Sequence, residues 1–160
     1  MADSKRAQAW GIDLIAATAI FLTSIIFFYL YAMNYPTETE NELQSLTYEA
    51  ELVADSLLSE GLPIDWAPNN VIKIGLLSDN KINQTKLEYF YSLSANYQKT
   101  KSLFRVKNDY FVYFQEPMTI NGSPVTGIGN PAAANQNLIK ISRIVVYNDN
   151  IATLNIYVWN

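Results

Sequence analysis

The chain contains no cysteine and no histidine among its 160 residues. Without cysteine there is no disulfide framework, no thiolate nucleophile, no Cys-based metal site and no S-acyl anchor. Without histidine the commonest metal ligand and the commonest general base are missing, and every Ser-His or Cys-His arrangement goes with them. Bases are also absent over a long interval. Between Arg6 and Lys73 no Lys or Arg occurs, while Asp13, Glu38, Glu40, Glu42, Glu49, Glu51, Asp55, Glu60 and Asp65 are all acidic. From Lys73 onward nine bases face five acids, so a net charge of −4 conceals an acidic front and a basic rear. Such a pattern suits solvation, and it equally suits attraction between the two parts, within one chain or between neighbours. The rear acids Asp79, Glu88, Asp109, Glu116 and Asp149 show no acid/base or metal spacing, so neither an enzyme nor a cofactor or metal is expected.

What is present begins with an apolar run. Leu14 to Met33 is twenty residues without a charge, and as a helix it rises about 30 Å, the thickness of a bilayer's hydrocarbon core. Trp10 on one side and Tyr29, Tyr31 and Tyr35 on the other are rings suited to the two interfaces. Lys5 and Arg6 precede the run, which predicts a single-pass span with a cytoplasmic N-terminus and an extracellular remainder. A buried core helix is a poor fit at this length and position. A cleaved secretory signal also fits badly, because no A-x-A pattern follows the run. About 100 residues remain for one compact domain, and eleven tyrosines with seven phenylalanines give it large side chains to bury.

The front end, MADSKRAQAWGID, places Lys5-Arg6-Ala7-Gln8 ahead of Asp13 and then the apolar run. This pattern resembles the class III signal peptide of archaeal type IV pilin-like proteins. The resemblance implies a prepilin peptidase cutting on the cytoplasmic side, with Arg6 and Ala7 before the cut, Gln8 as the new first residue, and the helix retained. The commonest pilin pattern has a Glu four residues beyond the first, whereas here an Asp stands five beyond Gln8. Five residues of helix turn about 500°, leaving Asp13 roughly 140° around the axis from Gln8. A neighbour's α-amine is then a better partner for Asp13 than its own, which makes Asp13 a candidate assembly contact. The alternative is a carboxylate marking the headgroup edge.

Beyond Pro36, Thr37-Glu38-Thr39-Glu40 has the form of a capping box, and Leu43, Leu46, Ala50, Val53 and Leu57 follow a 3,4 spacing up to Gly61 and Pro63. The spacing predicts an amphipathic helix whose stripe meets the head's own sheet or, less simply, a coiled-coil seam. Further on, Val71 to Leu77 reads as a strand, Gln84 to Phe104 as a helix, and Arg105 to Gln115 as a strand. Asn121-Gly122 signals a hairpin, and Leu138 to Tyr147 should pair with Ile151 to Trp159 across residues 148–150. The segment from Gly127 to Asn137 reads as an exposed loop, and its Gly-Ile-Gly is too little for a phosphate-binding loop. Gly61-Leu62-Pro63 through Trp66, Ile74-Gly75-Leu76 and Lys86-Leu87 look similar to segments of archaeal pilin-like heads. Asn83-Gln84-Thr85 and Asn121-Gly122-Ser123 are glycosylation sequons; Pro124 weakens the second, so Asn83 ranks above Asn121.

The expected fold is therefore α+β: a long hydrophobic helix, a second amphipathic helix and a small antiparallel head of type IV pilin-like layout. The expected divisions are a leader at 1–7, a transmembrane or filament-core helix at 8–35, an acidic stalk helix at 36–61 and a head at 62–160. The resemblance implies a pilin or minor pilin of a surface filament, possessing an adhesive role and meeting membrane lipid, prepilin peptidase and copies of itself or related pilins, but no nucleic acid. The alternative is a permanently anchored extracytoplasmic binding protein that does not polymerise.

Overall fold

A computed structural model describes residues 3–34, 38–132 and 137–160, and the side chains of 11–33, 40–132 and 137–160 among them. The fold is α+β, with a long apolar N-terminal helix, shorter helices and small antiparallel sheets. The chain divides into two units, residues 1–41 and 42–160. The first is dominated by α1 (Asp3–Asn34), a continuous helix that carries no Pro and no basic residue in its last turn. Three of its hydroxyls are satisfied locally: Thr18, Thr23 and Ser24 donate to the carbonyls of Leu14, Ala19 and Ile20 at 2.7–2.8 Å.

The second unit is the head. Its first element is α2 (Glu38–Leu57), which from Glu42 onward belongs to this unit. Thr37, expected to cap α2, lies outside the described residues. The expected stripe is real: Leu46, Ala50, Val53, Ala54 and Leu57 are fully buried in the head's own core, and only Leu43, at the helix's start, remains exposed. After α2 come β1 (Leu77–Ser78), β2 (Lys81–Ile82), α3 (Gln84–Ser94), α4 (Tyr97–Phe104), β3 (Asp109–Phe114), β4 (Met118–Ile120), β5 (Ser123–Val125), β6 (Ile128–Gly129), β7 (Leu138–Tyr147) and β8 (Asn150–Trp159). The main sheet runs β6-β3-β8-β7, antiparallel throughout, beside two small hairpins, β1-β2 and β4-β5. Alternation along β3 sends Tyr110, Val112 and Phe114 inward, opposite Val158, Ile156 and Leu154 of β8. These side chains join Phe90, Phe104, Trp66 and the α2 stripe in one core.

All three hairpin turns are made by residues that tolerate positive φ, and in the β1-β2 turn Asp79 and Asn80 stand at 49° and 61°. Asn121 and Gly122 stand at 51° and 78°, and Asn148 and Asp149 at 50° and 60°, which is the type I′ pattern whose twist matches paired strands. The β7-β8 link is thus one residue shorter than expected, with Asn150 already in β8.

Three expected elements differ. Val71 to Leu77 is not a strand apart from Leu77. Ile74, Gly75 and Leu76 are buried there, but their backbone groups bond elsewhere: the Ser56 hydroxyl donates to Ile74 O, Trp66 Nε1 to Gly75 O, and Leu76 N to Leu57 O. The helix expected across Gln84 to Phe104 is two helices, because Asn96 stops the first and caps the second, its side chain accepting from Lys99 N. The expected exposed loop after Gly127 begins as a strand, with Ile128 buried opposite Val112, while residues 133–136 lie outside the described residues.

Candidate functional site

The apolar helix α1 is the first candidate surface. From Gly11 to Met33 it is long and apolar enough to cross a membrane, and every side chain along it is exposed. The same length and composition also suit a signal sequence. Arg6, Ala7 and Gln8 fall within α1, whose backbone continues as helix through them; their side chains lie outside the described residues. Asp13 is exposed near the start of the apolar stretch, and no ion pair to it occurs among the described residues.

The two sequons occupy different settings, and their ranking from sequence is not that of their accessibility. Asn83 is half-buried at the start of α3, where its side-chain oxygen accepts from Lys86 N and its Nδ2 donates to Ser78 at 3.2 Å. A glycan on that nitrogen leaves it one N–H and has to fit beside Ser78. Asn121 is exposed at the tip of the β4-β5 hairpin. Removal of the cap in Asn83→Ala is expected to cost about 1 kcal/mol of head stability. Thr85→Ala destroys the same sequon from an exposed position and is expected to stay within about 0.5 kcal/mol of the parent. Denaturant unfolding of the full chain in detergent measures both, and equal effects would refute the capping role.

Sequence reasoning missed two buried charges. Glu49 is 6% exposed on α2, and its carboxylate accepts from the backbone N–H groups of Lys107 and Asn108 at 3.1 and 2.9 Å. Lys86 is equally buried on α3 and donates to the carbonyls of Glu60 and Leu77, both at 2.8 Å. Charge-assisted bonds of this kind are stronger than neutral ones and expensive to leave half-made. Glu49 ties α2 to the segment entering β3, and Lys86 ties α3 to the turn after α2. Glu49 lies three residues after Leu46, inside the apolar stripe, and that position was the available signal.

Where α4 meets β3, Lys101 pairs with Asp109 at 2.9 Å. Burial pushes the Asp109 carboxyl up, but Lys101, with help from Asn130 and Tyr97, outweighs it and holds the group below the ordinary carboxylate range. Burial raises the Tyr97 and Tyr110 phenols, so both stay neutral donors. On the sheet's outward side the Tyr113 and Tyr157 hydroxyls hydrogen-bond to each other at 2.8 Å, which raises the Tyr157 phenol, while Lys140 stands 5.8 Å over the Tyr157 ring. The solvent-exposed pair Lys81–Asp149 raises the lysine and lowers the aspartate, and at such a position contributes little.

An open groove of about 660 Å³ lies where the β3-β4 link meets the β7-β8 turn, lined by Phe114, Glu116, Thr119, Tyr147, Asn150 and Thr153 among others. Glu116 is the sole carboxylate in this lining, so the groove holds no carboxylate pair. No group of three or more Asp or Glu that could hold a metal ion occurs among the described residues. Compared with family models, with curated proteins and with solved structures, the chain matches none.

Proposed function

We propose that the chain is a structural subunit, a pilin or minor pilin, of a surface filament of the archaeal type IV pilus kind. The observation that carries this reading is α1: an apolar helix, exposed along its described length, continuous through Ala7-Gln8 and joined to a small α+β head. A prepilin peptidase cutting between Ala7 and Gln8 removes the charged leader and keeps the helix. An apolar surface serves first in lipid and then against like helices, which exclude water as well as acyl chains do. Asp13 takes the α-amine of a neighbouring Gln8 across the bundle. The extracellular head supplies the filament's outer surface and any adhesive contact. Sheared surface filaments from the native host are expected to contain this chain beginning at Gln8 by N-terminal sequencing. A chain that still begins before Ala7 would overturn the reading.

A permanent anchor displaying a binding head is the second reading, and the 660 Å³ groove is the observation in its favour. Strict fractionation with membranes, and absence from sheared material, is the result it requires.

A further inference from the structure

We propose that the outward face of α2 docks a second copy of this chain, which receives it with the basic segment joining its α4 to its β3. The inference rests on the filament reading and names the head contact such an assembly uses. α2 carries no basic residue. Opposite its buried stripe, Gln44, Tyr48, Glu51 and Asp55, spaced four, three and four, form an exposed ridge. Tyr48 is 63% exposed, an amphipathic ring held out between polar and acidic neighbours, as interface anchors are.

The complementary charge is concentrated in one stretch of the same head. Lys99, Lys101, Arg105 and Lys107 fall within nine residues with no acid among them. Lys101 is taken by Asp109, and Lys99 donates to Pro68 O. Arg105 and Lys107 are exposed, and the ion pairs among the described residues, Lys81–Asp149 and Lys101–Asp109, use neither of them and neither ridge acid. The two clusters lie on different sides of α2. Its inner face holds this segment through Glu49, whose carboxylate binds the N–H groups of Lys107 and Asn108. Glu51 stands about 160° around the helix from Glu49. The ridge therefore meets a basic segment on another head rather than its own. A contact that joins one face to a different face is heterologous, and it repeats into an open array wherever its rotation does not close into a ring.

The full chain, labelled with donor or acceptor dye at Ser92→Cys and reconstituted in phosphatidylcholine vesicles, reads the contact as energy transfer under lipid dilution. E51K/D55K and R105E/K107E are each expected to weaken self-association about tenfold or more, and raising salt from about 0.05 M to about 0.5 M to weaken the parent. Mixing the two reversed chains is expected to restore transfer, since each then offers the other a complementary face. Unchanged association in either reversed chain, no recovery on mixing, or indifference to salt overturns the proposal. So does a loss confined to vesicles with added anionic lipid, which assigns the basic segment to lipid. Failure here while native filaments begin at Gln8 removes the docking surface alone, and an uncleaved leader with the charge swap intact removes the filament reading alone.

Discussion

Gly75→Ala is expected to destabilise the head by about 3 kcal/mol, a large share of the roughly 5–15 kcal/mol that holds a small domain together. A β-carbon at Gly75 would lie well inside contact distance of the backbone nitrogen of Gly61, the carbonyl of Ser59 and the backbone of Glu60. None of these is a side chain that can swing away. The crowding arises because two connections cross there: Leu62 N donates to Lys73 O and Leu77 N to Ser59 O, while Trp66 Nε1 caps Gly75 O at 2.8 Å. Gly61 on the other strand of the crossing holds φ at 82° with the Trp66 ring where a side chain would go. Gly11→Ala, with nothing within 4 Å of the new atom, is the control and is expected to leave the head unchanged. Denaturant unfolding of the full chain in detergent, followed by tryptophan fluorescence, measures both. A Gly75→Ala midpoint indistinguishable from the parent would show that the crossing relaxes.

The same crossing marks the limit of what local pattern discloses. The α2 stripe was legible because its apolar spacing is helical and its burial depends on that spacing alone. The β4-β5 and β7-β8 hairpins were legible because Asn-Gly and Asn-Asp tolerate the positive φ that a two-residue turn demands. Residues 71–77 were misread because an apolar run between turns looks like a strand wherever its hydrogen bonds go. Here they go to Leu62, to Ser56 and Leu57 at the end of α2 and to the Trp66 indole, partners that apolar patterning does not disclose. Asn96 was passed over for a similar reason: a cap inside an otherwise apolar-periodic segment splits the helix without disturbing its composition.

Of the candidate sites, the length of α1 was plain in the sequence, and the motif at Arg6-Ala7-Gln8 is readable nowhere else. Asn83 illustrates a residue with two meanings. Its sequon was noticed, while its place before a helix, where asparagine is a preferred cap, settles how the side chain is used in the folded head. Buried Glu49 and Lys86 were invisible as partners, because each meets backbone groups far away in sequence.

Tyr110→Ala is expected to cost about 4 kcal/mol, in the range for deleting a buried aromatic ring, while Tyr110→Phe costs about 1 kcal/mol. The ring is fully buried, stacked on Tyr97 at 5.1 Å between centroids and edge-on to Phe104 at 5.2 Å, so its removal strips the packing between α4 and β3. Its hydroxyl donates to Thr100 Oγ1, and Thr100 in turn donates to Tyr97 O at 2.7 Å. Phenylalanine therefore removes one bond but leaves Thr100 its other partner, which keeps the penalty small. The backbone contributes independently, with Tyr110 N donating to the Tyr97 hydroxyl at 2.8 Å and surviving both substitutions. Because these contacts hold the turn that presents Arg105 and Lys107, Tyr110→Ala is also expected to weaken head-to-head transfer in vesicles while Tyr110→Phe preserves it. Denaturant midpoints and the energy-transfer measurement separate the two effects, and equal losses from both variants would show that the hydroxyl, not the ring, fastens α4 to the sheet.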